Sequence, residues 1–237
     1  MNGTVEVVDS VADRFAEVVS DVLARGTTGG AGDQGFSLFL SGGPTAKTAY
    51  EQLARASGPG ATTSVDWTRV DAYWGDERCV LPDDEDSNLR LCREALLDPV
   101  GPVRSIHPMY TGGDPDAAAA AYQQELSGLD AYDLVHLGMG PDGHCASLFP
   151  GSAALDAPDD VLVVANTDPN ALNPHERITV TLPAIARARL VVFTVAGASK
   201  RDAFKRVRNG EDLPAGRVRA AEVLWLVDPD AAGEAGR

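Results

Sequence analysis

Apolar residues along this chain come in two alternating patterns. Short continuous blocks bounded by Gly, Pro, Asp or Ser occur at 36–40 (FSLFL), 69–74 (RVDAYW), 133–137 (DLVHL), 161–165 (VLVVA), 177–182 (RITVTL), 190–196 (LVVFTVA) and 222–227 (EVLWLV). Their length and β-branched content predict buried strands. Between them lie stretches with apolar positions three or four apart, the period of a helix with one buried face. Val8, Val11, Phe15, Val18 and Val22 predict a helix over 5–25 that stops at Gly26. Pro44 suits a first helical turn, and Ala46, Ala49, Tyr50 and Leu53 continue that helix's inner face. Ser87 is placed to cap a helix carrying Leu89, Cys92 and Leu96. Asp114 and Pro115 open a further helix over 114–126, and a basic helix is expected near 199–208. Residues 75–86 (GDERCVLPDDED) read as a long loop.

Strand blocks that alternate with amphipathic helices predict an α/β fold. It would be a three-layer αβα, Rossmann-like arrangement with a mostly parallel sheet and helices on both faces. Neither an internal repeat nor a linker-like stretch divides the chain, so 1–237 reads as a single domain. The Gly/Asp-rich segment 26–35 and the last seven residues, AAGEAGR, are expected to be mobile.

A chain of 237 residues can bury roughly 70–75% of its unfolded surface. With 44% hydrophobic and 23% charged residues it has the composition of a soluble globular protein. The net charge of −15 argues against nucleic acid or an anionic membrane as partner. An anionic ligand would have to be held by a few basic residues set against the overall field. No apolar stretch approaches the ~20 residues of a membrane helix, and the first residues lack a basic-then-apolar pattern, so neither a membrane span nor a signal peptide is expected. Cys79, Cys92 and Cys145 lack paired metal-site spacing, which suits reduced thiols in a cytoplasm and gives no metal site. Without a heptad pattern or an exposed apolar stripe, a monomer is expected.

In open α/β sheets ligands bind beyond the carboxyl ends of the strands, and the chemically pointed residues fall there. Ser41-Gly42-Gly43 follows block 36–40, and Asp76-Glu77-Arg78 follows 69–74. Asp142-Gly143-His144 follows 133–137, and Lys200 closes the segment after 190–196. Residues 138–143 spell G-x-G-x-x-G, but the dinucleotide reading fails on context. Pro150-Gly151 cuts short the required helix, and Asp159 and Asp160 precede the next strand instead of ending it. What remains is either a tight turn with a solvated His144 or the mouth of an active site. The two glycines after Ser41 let backbone N–H groups approach an anion, and Pro44 and Thr45 would add a helix N-terminus. Arg78, Arg177 and Lys200 are the natural cations for that anion, although each alone could be a solvated surface residue. Asp76 and Glu77 are expected to salt-bridge Arg78, and the acid run 83–86 to be a solvated loop. No G-x-S-x-G elbow exists, Ser41 has no partner visible in sequence, and Cys145 is only the chain neighbour of His144. His144 acting on water as a general base is the simplest chemistry, because histidine titrates near neutrality. His107, His136 and His175 have weaker settings.

The segments LSGGPT (40–45), WGDER (74–78), DSN (86–88), GMGPDGHCASLFPGS (138–152), RIT (177–179) and GASK (197–200) together resemble the 6-phosphogluconolactonase family. That family lies within the larger group of sugar-phosphate isomerase and deaminase folds, and the resemblance runs from about residue 36 to 208. Pro44 stands where the family more usually has serine, and Cys145 where it more often has threonine. The resemblance implies hydrolysis of 6-phosphoglucono-δ-lactone to 6-phosphogluconate, in the oxidative pentose phosphate pathway, without metal or organic cofactor. His144 would take a proton from water, and Asp142 would orient the imidazole or the water. Arg78 would serve the oxyanion or the phosphate. Ser41, Gly42, Gly43, Thr45, Arg177 and Lys200 would hold the phosphate, with Asp76, Asn88, Gly140 and Gly143 also at the substrate site. A glucosamine-6-phosphate deaminase is similar, but carries a glutamate five residues after the histidine, where this chain has Phe149. It also has Asp-Glu-Tyr in place of Asp76-Glu77-Arg78. A non-catalytic sugar-phosphate sensor would bring a DNA- or partner-binding segment, and the chain shows none.

Overall fold

The computed structural model describes residues 1–28 and 35–233. In chain order the first half comprises β1 (Thr4–Val7), α1 (Val11–Thr28), β2 (Phe36–Leu40), α2 (Pro44–Ser57), β3 (Val70–Trp74), β4 (Asp76–Arg78) and α3 (Asn88–Cys92). A π turn (Arg93–Leu97) then leads into α4 (Asp98–Val100), β5 (Ser105–Ile106), α5 (Pro115–Ser127) and β6 (Tyr132–Gly138). The second half adds β7 (Val163–Asn166), β8 (Arg177–Val180), α6 (Leu182–Ile185) and β9 (Ala188–Val195). It closes with α7 (Arg201–Arg208), α8 (Pro214–Arg217), β10 (Glu222–Val227) and α9 (Pro229–Ala232).

Seven parallel strands form the main sheet in the order β1-β10-β9-β6-β2-β3-β5. All five residues of β2 are buried, which is why that strand reads as an unbroken apolar run instead of an alternation. Crossovers through α1, α2 and α3–α4 step along the sheet in one direction, and those through α5 and α7 step back. Right-handed crossovers therefore divide the helices between the two faces. From the first face, Phe15 of α1 and Tyr50 of α2 pack on His136 of β6. From the second, Tyr122 of α5 accepts a hydrogen bond from Trp74 N at 2.9 Å. The reversal falls between the neighbouring strands β2 and β6, so the loops leaving them part to opposite faces and open a crevice.

Several expectations change. The helix expected at 5–25 is interrupted: residues 4–7 form an edge strand parallel to β10, and the helix begins at Val11. Its buried face runs through Val11, Phe15, Val19 and Leu23, leaving Val18 and Val22 only partly covered. The segment 75–86 is not all loop, because β4 pairs antiparallel with β8, and β8 with β7. The blocks 161–165 and 177–182 thus form a small second sheet, and Thr181 caps α6 where the second block was expected to continue. At the C-terminus Asp228 caps α9 and Ala231 is buried, so the chain is ordered further than expected. Residues 29–34 and 234–237, within the segments expected to be mobile, lie outside the described residues. Among the described residues no helix is long and apolar enough to cross a membrane.

Candidate active site

The crevice at the β2/β6 reversal holds a cavity of about 340 Å³. Ser41, Gly42, Gly43, Thr45, Asp76, Arg78, Asn88, Gly140, His144, Arg177 and Lys200 all border it, drawn from separate loops and both sheets. Two of the expected residues do not reach the wall. Asp142 stands behind His144, and Gly143 turns the chain at φ 88°, its carbonyl accepting from Ala215 N at 3.0 Å.

The turn after β6 holds the histidine. Gly140 N donates to His144 O at 2.9 Å and Gly143 N to Gly140 O at 3.0 Å. Asp142 Oδ1 lies 2.6 Å from His144 Nδ1 and accepts from His144 N at 3.2 Å. A carboxylate at Nδ1 fixes the proton there, so Nε2 keeps its lone pair. Burial raises the Asp142 carboxyl, but the hydrogen bond and charge of His144 outweigh it and hold the group below its ordinary value. The other oxygen of Asp142 is buried without a protein partner. Phe149 meets the imidazole edge-on, with ring centroids 5.2 Å apart.

Gly140 is needed for close approach, since a Cβ there would sit 2.2 Å from His144 Nδ1 and Cε1. Gly140→Ala must therefore displace the imidazole. A misplacement near 1 Å lowers turnover on the order of 10- to 100-fold, while a thermal melt should show the protein still folded. Steady-state kinetics beside that melt test it, and unchanged kcat would be the contrary result.

Arg78 of β4 faces Arg177 of β8 directly across the antiparallel ladder. Among the described residues, Arg78, Arg177 and Lys200 form no ion pair, whereas Arg14, Arg206 and Arg217 each do. Asp76 and Glu77 are not the salt-bridge partners expected for Arg78. Glu77 is buried and accepts backbone N–H bonds from Asn88 at 2.8 Å and Leu89 at 2.7 Å, capping α3 beside Ser87. Asp76 accepts from Ser147 Oγ at 2.6 Å. The Arg78 guanidinium instead donates to the carbonyl of Asp86, while its Nε is buried without a partner. Asp86 also meets His175 Nε2 at 2.9 Å, so the acid run 83–86 does more than face solvent. Burial depresses the Arg177 pKa, opposed in part by the Asp76 charge, and Arg78 pushes the same way as burial. Lys200 is likewise depressed by burial and opposed by Asp142. Arg177 and Lys200 are thus partly desolvated and, like Arg78, have no carboxylate within ion-pair distance among the described residues, so all three remain able to contact an anion in the cavity.

The Ser41-Gly42-Gly43 turn leads into α2, whose N-cap is Gly43 at φ 91° with no side-chain cap. A Cβ on Gly42 would lie 1.8 Å from Asn88 Oδ1, and that oxygen is itself buried without a partner. Sequence reasoning missed Ser147, Asn173 and Thr194, which also border the cavity. Ser147 sits in the quoted GHCASLF segment and was within reach; Thr194 is one polar letter inside an apolar strand. Of the other histidines, His136 is buried in β6, and His107 lies beside β3, its N donating to Ala72 O at 2.9 Å. The cysteines are free, and among the described residues no three His, Cys, Asp or Glu side chains cluster as metal ligands.

A mostly parallel α/β sheet with a small, cation-lined cavity at its reversal point, beside a carboxylate-held histidine, is the organisation of an enzyme for small anionic substrates. Residues 3–225 match the family described as glucosamine-6-phosphate isomerases/6-phosphogluconolactonase, and the chain belongs to that family. A 6-phosphogluconolactonase of Synechocystis sp. is 41% identical, with 82% of each chain covered. Another from Nostoc sp. is 38% identical over 99% of each chain. Among solved structures, 6-phosphogluconolactonase from Thermotoga maritima superposes with a TM-score of 0.81 at 28% identity, covering 96% of this chain and 100% of that one. A monomeric glucosamine-6-phosphate deaminase, 19% identical with a TM-score of 0.78, covers 98% of this chain and 99% of its own and shares the fold.

Proposed function

We propose that this chain hydrolyses 6-phospho-D-glucono-1,5-lactone to 6-phospho-D-gluconate, with His144 as general base. The observation that carries the reading is the Asp142–His144 pair at 2.6 Å, which leaves Nε2 as a proton acceptor on the wall of a cavity lined by unpaired cations. A water placed against Nε2 gives up its proton as its oxygen attacks the lactone carbonyl carbon. The resulting oxyanion collapses, the ring C–O bond breaks, and the imidazolium returns the proton to the departing ring oxygen. Asp142 keeps Nδ1 protonated and stabilises the imidazolium in between. The backbone of the 41–43 turn, Thr45, Arg177 and Lys200 hold the phosphate, and Arg78 adds its charge to the same wall. Asp76 and Asn88 brace that wall by their own hydrogen bonds, and Gly140 and Gly143 shape the turn that carries His144. A lactone is already reactive, so a positioned base with a charge clamp suffices. No organic cofactor enters this scheme. The free cysteines fit a reducing, cytoplasmic setting.

The experiment is lactone hydrolysis measured above the spontaneous rate, with and without the 6-phosphate, beside ammonia release from glucosamine 6-phosphate. Enzymatic hydrolysis favouring the phosphorylated lactone is expected, and no ammonia, because Phe149 offers no carboxylate for proton transfer. Deamination at enzymatic rates would overturn the reading.

A further inference from the structure

A buried polar chain runs beneath the cavity floor and joins the ends of β2 and β9. Ser41 N donates to the Tyr50 hydroxyl at 2.7 Å, and that hydroxyl lies 2.7 Å from His136 Nδ1. His136 Nε2 lies 2.9 Å from Thr194 Oγ1. Tyr50 and His136 have no exposed surface, and Phe15 closes over the imidazole with ring centroids 4.4 Å apart. Ser41 and Thr194, the two ends of the chain, both border the cavity. The hydrolysis described above makes no use of Tyr50, His136 or Thr194.

Counting hydrogens fixes the direction of this chain. The tyrosine hydroxyl spends a lone pair on Ser41 N–H, and its single hydrogen has His136 Nδ1 as acceptor. Burial pushes the His136 pKa down to about 3, so the ring is neutral and carries one proton. With Nδ1 accepting, that proton is on Nε2 and is donated to Thr194 Oγ1. The other tautomer would leave the tyrosine hydrogen without an acceptor in a fully buried site, which is unfavourable. Thr194 therefore accepts from within the fold, and its own hydrogen is left over. Among the described residues His136 is its sole side-chain partner. Across the ladder Thr194 pairs with Gly138, where a Cβ would meet nothing within 4 Å, so the space in front belongs to the cavity.

We propose that Thr194 is a substrate-contacting residue, a hydrogen-bond donor to an oxygen that carries no hydrogen of its own, and that Tyr50 and His136 are positioning residues that turn its hydroxyl outward. The carbonyl and phosphate oxygens of a phosphorylated lactone have that chemistry; the identity of the substrate rests on the function proposed above. A hydroxyl locked as a donor favours such acceptors over ring hydroxyls, which bring hydrogens of their own.

The first test needs no substrate. In 15N-labelled wild-type protein near neutral pH, the His136 ring should be the neutral Nε2–H tautomer. An Nδ1–H tautomer or a charged ring would overturn the proposal. The second is kinetic: Thr194→Val, which keeps the shape and loses the hydroxyl, should lower kcat/KM about ten-fold, the loss of one good hydrogen bond. Thr194→Ser should recover most of it. A loss in KM assigns the phosphate as acceptor, a loss in kcat the carbonyl. Tyr50→Phe should impair the wild type but change little in the Thr194→Val background, because it acts through the same hydroxyl. Wild-type kinetics in Thr194→Val, or fully additive losses, would overturn the proposal. Should the Val variant fail to fold, Thr194→Ala takes its place in the kinetic comparison, with the same losses expected and wild-type kinetics again overturning the proposal, while the tautomer measurement tests the direction of the hydroxyl by itself. A wild-type protein without lactone hydrolysis would sink the proposed function, and the tautomer result would stand apart from it.

Discussion

His144→Gln should hydrolyse 6-phosphogluconolactone roughly 10²–10⁴ times more slowly than the wild type, the usual loss when a general base is removed. Glutamine is close in size to histidine and donates hydrogen bonds, so the cavity and the turn should survive and the melting temperature should change little. What disappears is the lone pair at Nε2. In the wild type, protonating that nitrogen removes the base, so kcat/KM should fall as the solution is made more acid. The variant has no such group at this position, and its profile should lose that acid limb. Asp142 supports the assignment, because His144 holds its carboxyl below its ordinary value and so favours the charged form that fixes the Nδ1 proton. Asp142→Asn should keep the contact but let Nδ1 accept instead of donate, moving the proton to Nε2 and blocking the base. Its loss should then approach that of His144→Gln. Full-speed hydrolysis by His144→Gln would remove this residue from the chemistry and send the search to Asp76 or to water alone.

How much of this could be read from the chain follows from what each element depends on. Blocks 36–40 and 222–227 coincide with β2 and β10 because a parallel strand covered on both faces must be a continuous apolar run. The helix at Pro44 was legible for a similar reason: its first turn, glycine cap and inner face are all local. β1 was missed because Val5 and Val8 fall in step with the helical period that follows, and a partly exposed four-residue edge strand adds no signal of its own. β4 is three charged or polar residues, DER, whose extended form is imposed by β8, a hundred positions along the chain. The same pairing hid the chemistry. Arg78 and Arg177 were visible as candidates one at a time, but not as neighbours, and Glu77 looked like a partner for Arg78 because adjacency in sequence says nothing of alternating strand faces. On β4 those faces send Glu77 inward to the helix cap. Thr194 carried the weakest trace of all, since its meaning depends on a tyrosine and a histidine from two other elements.

The phosphate end of the site supplies the remaining large effect. A chain at −15 repels a phosphorylated substrate overall, so selectivity for the phosphate must come from close, desolvated cations. Arg177 and Lys200 are both held below their ordinary pKa values by burial, and neither forms an ion pair among the described residues. Burial is unfavourable for such charges until an anion arrives, which makes the phosphate contact stronger than a surface pair would be. Losing one charged hydrogen bond typically costs about 1.5–3 kcal/mol, or roughly 10- to 150-fold in kcat/KM. Lys200→Ala combined with Arg177→Met, which keeps most of the buried volume, should lower kcat/KM for the phosphorylated lactone by roughly 10²–10⁴-fold. Hydrolysis of the same lactone without its phosphate, slow to begin with, should hardly change. That contrast separates a lost phosphate site from general damage, because a misfolded or distorted cavity would lower both rates together. Arg78→Met belongs in the same comparison: a loss confined to the phosphorylated substrate places its guanidinium on the phosphate, and an equal loss for both lactones places it on the oxyanion. If the double variant retained wild-type preference for the phosphorylated lactone, the phosphate would have to bind away from these cations.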